Sequence, residues 1–449
     1  QFKRWYSQAG TPRLTAHGVY DSDNRSYALT LSQRCDPTPG QAEKEPFVIP
    51  VAIGLLDAQG GELPLQLAHW SQPEAGTRSF VLTQKSETLT FVNLDAEPVP
   101  SILRGFSAPV VLDFEYSDAQ LLTLLAHDVD PFNRWEAGQR LALRLALQAI
   151  KADEAAVSSE PLDSAFIEAM RAVLRHPTLD AAFKELVLTL PSETYISEQL
   201  EVVDPQRVHA VREAMREQLA QALHDDWVWA FETHRDNGAY SPDPLSTGRR
   251  ALTGMALTML CLAARASGGP VWPGKTLQRF KDAGNMTDRF NALSALVVSG
   301  HPLAGDALAR FHRLFKYEAL VLDKWFALQA GAPDRGGDVL PAVRRLMAHP
   351  DFNLKNPNRA RSVIFSYCSA NPGAFHRADA AGYQFWSDCV IELDAFNPQV
   401  AARLARALDR WKKLAEPYRT SAREAIARVA ARTQLSNDVR EVVTRSLAE

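Results

Sequence analysis

The chain has 449 residues, a formal net charge of −4, 46% apolar and 23% charged residues. That length holds two or more cored domains. The composition is too apolar for a disordered chain, and the charge too balanced for a protein held on nucleic acid by phosphate attraction. The first eight residues, QFKRWYSQ, put Phe2, Trp5 and Tyr6 at helical spacing and read as the last turns of a helix. Ala9-Gly10 closes it and Thr11-Pro12 forbids its continuation. The opening shows no initiator Met, basic n-region or apolar h-region, and a helix that starts in mid-stride raises the expectation of a further domain before it.

Residues 11–116 read as β. RLTAHGVY alternates and ends in the turn DSDNR; SYALTLSQR follows, then FVIPVAIGLL, ELPLQL, RSFVLT, TLTFVNL, SILRGFS and PVVLDFEY. Seven or eight short strands separated by turn residues predict an immunoglobulin-like β-sandwich. Pro50, inside an apolar strand, predicts an edge or a bulge.

The chain divides near residue 117, and residues 117–449 read as helical. The segments run from SDAQLLTLLAHDVD, opened by a Ser/Asp cap, through FNRWEAGQRLALRLALQAIKA and PQRVHAVREAMREQLAQALHDDWVWAF to SNDVREVVTRSLA. Helix pairs recur at Thr287, Leu322 and Asn358 at HEAT-like spacing, which predicts a stacked superhelical solenoid of the HEAT/ARM type. Asn356-Pro357, Asn371-Pro372 and Asn397-Pro398 each set an Asn cap before a Pro at the first helical position. The longest apolar run, GMALTMLCLAARA, is too short for a membrane span. Cys35, Cys261, Cys368 and Cys389 lie far apart and predict reduced, mostly buried thiols in a cytoplasmic protein.

The chemistry-bearing motifs are missing. None of the eleven histidines lies three or four residues from another, HExxH is absent, and so are GxSxG, Walker and GxGxxG patterns. HDDW at His224 reads as a solvated helix end and DRGGD at Asp334 as a polar loop. The expectation is a chain with no active site of its own and no bound metal. One region stands out. Arg359 and Arg361 sit near a helix N-terminus, where the macrodipole opposes cations. Arg403, Arg406 and Arg410 run beside the apolar stripe Val400, Leu404, Leu408, Trp411. They are either solvated or paired with Glu392, Asp394 and Asp409, or they form an electropositive wall for carboxylates.

The segments KRWYSQAGTP, FNRWEAGQ, NMTDRFNAL, VLDKWFALQA, NPNRARS, ANPGAFH, GYQFW and FNPQVAARL, in this order, resemble the C-terminal half of bacterial enzymes of the M1 zinc aminopeptidase family. The resemblance covers the whole chain. It implies that residues 1–10 end the last helix of a catalytic domain absent from this sequence, with the zinc ligands and general base in that part. The partners it implies are that catalytic half and peptide substrates, with neither nucleic acid nor membrane. It further implies that the helical domain closes the cleft into a chamber and that Arg361 and Arg403 face bound peptide, with Arg359 a weaker candidate. The alternative from the residues alone is a free-standing sandwich-plus-solenoid scaffold that binds another protein.

Overall fold

The computed structural model describes residues 1–152, 157–235 and 238–448. One helical turn, α1 (Arg4–Ser7), opens the chain. Trp5 anchors it, its indole N–H donating to Val48 O at 2.9 Å and its ring lying on Phe47. Eight strands follow: β1 (Arg13–Asp21), β2 (Ser26–Arg34), β3 (Ile49–Leu56), β4 (Glu62–Leu63), β5 (Arg78–Leu82), β6 (Ser86–Val92), β7 (Val99–Ile102) and β8 (Val111–Asp113). One sheet runs β6-β2-β1-β8, with β8 parallel to β1; in the other, β3 is the spine and pairs with β4, β5 and β7. Alternation buries Leu14 and Ala16 of β1 and Tyr27, Leu29 and Leu31 of β2. They join Val51, Ile53, Leu82 and Phe91 in one core, as an immunoglobulin-like sandwich requires.

Pro50 sits where its sequence context predicts. It pairs only with Val81 of β5, and β7 joins β3 no earlier than Ile53, so the missing N–H faces an open edge. The segment SILRGFS departs from a strand after Ile102: Leu103, Gly105 and Phe106 all take positive φ. That reversal turns Arg104 inward. Its guanidinium bonds Glu62, Thr77, Ser101 and Asp128, and Asp128 is fully buried. Gly54 makes room, since a Cβ there would lie 2.1 Å from Arg104 Cζ. Asn133 adds bonds to Ser101 and to Ile102 O, and Arg134 holds Asp128 O.

The helices are α2 (Asp118–His127), α3 (Pro131–Lys151), α4 (Ser164–Arg175), α5 (Ala181–Leu188), α6 (Glu193–Glu198), α7 (Pro205–Ala222) and α8 (His224–His234). Next come α9 (Pro244–Ser267), α10 (Val271–Asp282), α11 (Met286–Ser299), α12 (Ala304–Phe315), α13 (Ala319–Ala330) and α14 (Val339–Met347). After α15 (Pro357–Ala360), a π turn at Arg361–Phe365 leads to α16 (Ser366–Cys368), α17 (Pro372–Phe375), α18 (Ala381–Asp394) and α19 (Pro398–Ala405). Single 3₁₀ turns at Arg406–Leu408 and Trp411–Lys413 precede α20 (Tyr418–Ala430) and α21 (Asn437–Ala448). This is the helical solenoid the periodicity predicts. Ser117 and Gln120 close α2 with a reciprocal capping box. The apolar α9 is the core of its neighbourhood, packed by α7, α8, α10 and α11.

Compactness groups Gln1–Arg144 with Asp163–Leu179 and Leu186–Thr189, and Leu145–Leu162, Asp180–Glu185 and Leu190–Glu449 as a second unit. No described helix is long and apolar enough to cross a membrane. All four cysteines are unpaired; three are buried and Cys35 is partly exposed.

Three local readings change. The string from Pro205 to Phe231 is two helices, broken at Leu223, where φ −107° and ψ 23° leave the helical well. Trp227 closes the corner by donating to Leu219 O. Helix α10 escapes a propensity reading because Pro273 and Gly274 fall inside it, yet Pro273 lies in the first turn, where no N–H is needed. Asn356 and Asn397 cap their helices, whereas Asn371 makes no side-chain cap. Its amide instead ties Ala330 O and Ala332 O at the end of α13.

Candidate functional site

Helix α19 is fixed before its arginines are placed. Asn397 accepts from Val400 N, and Trp386 of α18 donates to Leu404 O. Val400, Leu404, Leu408 and Trp411 are all buried, as the apolar stripe predicts. The helix itself stops at Ala405, and the row of arginines continues on 3₁₀ turns. A parallel bridge between Val203 and Leu414, with Val203 N donating to Lys413 O at 2.7 Å, ties these turns to the start of α7.

Between α6, α7, the π turn and these 3₁₀ turns lies a cavity of about 490 Å³. Arg403, Arg406, Arg410 and Lys413 line it, with Glu193 and Trp411. Arg410 is engaged by Glu198 at 2.5 Å. Arg403 and Arg406 are exposed and have no carboxylate within ion-pair distance among the described residues. Of the two bland alternatives, solvated or paired, their exposure fits the solvated one. Asp394 accepts from Ser436. Glu193 is occupied by His209 Nδ1 at 2.7 Å. Burial would depress His209, but the Glu193 hydrogen bond and charge outweigh it and move its pKa upward. His376 also lines the cavity; burial pushes it down to about 4, so it is neutral, and its Nδ1 lies 2.9 Å from the Tyr383 hydroxyl. Two guanidiniums, Arg403 and Arg406, are therefore open to a ligand, each able to grip a carboxylate or phosphate through paired N–H donors.

Arg361 is exposed and opens the π turn, its Nη1 3.5 Å from Asn358 Oδ1. It does not line the Arg403 cavity, although Phe365, the last residue of the same π turn, does. Arg359 is unavailable to a ligand: it is 6% exposed, its Nε is 3.1 Å from Asp323, and its guanidinium lies over Phe326. A buried ion pair, not a binding role, accounts for that arginine at a helix start. His224 and Asp225 pair at an exposed helix end, as HDDW suggests. The contributions of Lys413, Glu193 and His376 are invisible in the sequence, because each comes from a different segment.

Two family models match the chain, both described as domains of unknown function. An Ig-like fold (DUF3458) covers residues 10–115, and ARM repeats (DUF3458_C) cover residues 118–448. The chain is 36% identical over 448 residues to aminopeptidase N of Escherichia coli, spanning 100% of this chain and 50% of that protein. It is 35% identical over 450 residues to aminopeptidase N of Haemophilus influenzae, again 100% of this chain and 50% of the relative. Among solved structures, Legionella pneumophila aminopeptidase A in complex with aspartic acid superposes with a TM-score of 0.80 at 26% identity, covering 99% of this chain and 50% of that one. The chain thus spans about half the length of the curated relatives it matches.

Proposed function

The chain belongs to the DUF3458_C family of ARM-repeat domains, preceded by the Ig-like DUF3458 domain, and from that premise we propose that it is the C-terminal, non-catalytic half of an M1 zinc aminopeptidase. The observation that carries this reading is the alignment of the entire chain with half of aminopeptidase N. In it, α1 is the last turn of the catalytic half's final helix, residues 11–116 are a spacer, and residues 117–449 close the cleft over bound peptide. The enzyme works in the cytoplasm, in keeping with four unpaired cysteines. Its reaction is removal of N-terminal residues from peptides.

The residues of this chain do not fit the catalytic zinc. There is no HExxH, and His312 and His349, which the fold brings together, stand on separate elements and outside the Arg403 cavity. Zinc and the general base are therefore assigned to the other half, and the bond-breaking step belongs there. What this chain supplies is positioning. Arg403, exposed and unpaired at its cavity, and Arg361, exposed on its π turn, hold the distal carboxylate of a peptide whose N-terminus lies at the metal.

The test is a double cycle in the complete enzyme. A charge-assisted hydrogen bond contributes about 1.5–3 kcal/mol, so Arg403→Ala lowers kcat/KM for short peptides about ten- to a hundredfold. A small chromogenic amide, which ends near the metal, is unaffected. Amidating the peptide C-terminus costs the parent enzyme a similar factor and the variant little more. Equal losses for peptide and small amide would show that the arginines only hold the lid.

A further inference from the structure

His312 stands in the last turn of α12, and His349 and Asp351 belong to the turn after α14. The fold brings them together. His312 Nε2 is 2.6 Å and His349 Nδ1 3.8 Å from the same carboxylate oxygen, Oδ2 of Asp351. One nitrogen from each imidazole and one Asp351 oxygen all lie within 4.8 Å of one another.

An ordinary ion pair explains only part of this. It needs one histidine, and His312 fills that role. The second imidazole is held 5.0 Å from the first, too far from the carboxylate for a hydrogen bond. Its Nδ1 accepts the Asp351 backbone N–H at 3.1 Å, so that nitrogen is unprotonated but its lone pair is engaged, and ligation through it exchanges this bond for the metal. The surroundings are also those of a ligand site. The Trp325 indole backs both rings, at 5.0 and 5.3 Å, and Phe326 lies 5.7 Å from His349. Asp351 faces solvent. Arg359, whose positive charge acts on His349 and Asp351, is matched by Asp323. The result is an apolar back wall, two imidazoles and one exposed carboxylate at an open front.

We propose that His312, His349 and Asp351 form a binding site for a divalent transition metal, zinc foremost, with water completing the coordination. Two imidazole nitrogens and a carboxylate oxygen are a donor set that suits zinc, cobalt and nickel and disfavours calcium and magnesium. Ligand atoms about 2.0–2.1 Å from a tetrahedral zinc lie closer to one another than the widest separation in this cluster, so the exposed Asp351 turn draws in on binding. The ion staples α12 to the turn after α14. No spacing rule detects such a site, because its histidines are separated by the whole of α13 and α14.

The test uses the 449-residue chain, freed of metal with a chelator. Titration with zinc in a calorimeter gives one equivalent with a Kd of about 10 µM or tighter, and zinc raises the melting temperature by mass action. Cobalt at the same site gives a saturable visible absorption that zinc displaces. His312→Gln, His349→Gln and Asp351→Asn each weaken binding at least about tenfold, whereas His301→Gln leaves it unchanged. Asp351→Asn, on an exposed turn, keeps the native circular dichroism spectrum and so separates lost ligation from lost fold. Absence of stoichiometric uptake by natively folded chain at about 100 µM zinc, or uptake that survives all three substitutions, overturns the proposal.

Discussion

At the scale of single residues, position in the fold and not residue type decides what a charged or titratable group does. Arg359 and Arg361 are two residues apart, yet one is buried against Asp323 and the other exposed. His376 shows the same dependence. Burial pushes its pKa down to about 4, below the unfolded value near 6.5. The folded chain therefore binds fewer protons than the unfolded one below pH 6.5, and stability present above that value is lost as pH falls toward 4. Its ring borders the water-accessible cavity, which tempers the effect. Between pH 7 and pH 5 the loss from this group is about 1–2 kcal/mol. Urea unfolding at the two pH values measures it, and His376→Gln makes the pH dependence shallower by that amount. An unchanged difference would assign the acid sensitivity to other groups.

At the scale of elements, two glycines make opposite predictions. Gly382 opens α18 against the turn before it, and a Cβ there would stand 2.0 Å from Phe375 O. Backbone cannot step aside as a side-chain tip can, so Gly382→Ala destabilises by about 2–3 kcal/mol. Gly274 lies inside α10 with nothing within 4 Å of its would-be Cβ. Gly274→Ala stabilises by about 0.5–1 kcal/mol through helix propensity. Thermal melts of the two variants should move in opposite directions, and shifts of the same sign would contradict this packing. These positions also mark what a sequence conveys. Alternation in SYALTLSQR and the Ser117 capping signal are local, and both elements form where they read. The stop of α19 at Ala405 is not local. Leu408 and Trp411 keep the predicted stripe buried while the backbone tightens to meet the strand-like pairing of Val203 with Leu414, a partner more than two hundred residues away. For the same reason Arg403 was legible as a cation on an exposed face, but its cavity was not.

At the scale of the whole chain, the change from strands to helices near Ser117 does not coincide with the boundary of compactness. That boundary falls within α3, between Arg144 and Leu145. The Arg104–Asp128–Asn133 network explains why α2 and the start of α3 count with the strands. Removing one side of a buried ion pair costs about 3–5 kcal/mol, because the other charge is left without a partner. A fragment beginning at Ser117 keeps Asp128 but loses Arg104 and Ser101. Its amides in α2 and α3 therefore exchange hydrogen at least about a hundredfold faster than in the whole chain, while those of α9 and α11 do not change. Mass spectrometry of exchanged fragments reads this directly, and equal protection of α2 in fragment and whole chain would refute it.

The distribution of thiols makes the chain a selective target for labelling reagents. Alkylation needs the thiolate. Burial raises the Cys261 pKa to about 11 and pushes Cys368 and Cys389 higher still. Cys35, just beyond β2 and packed near Gly10, is the one partly open to solvent. A maleimide dye added to the native chain thus attaches at one place without any engineered cysteine. It reports from the loop after β2, beside Gly10 of the short segment that joins α1 to the strands.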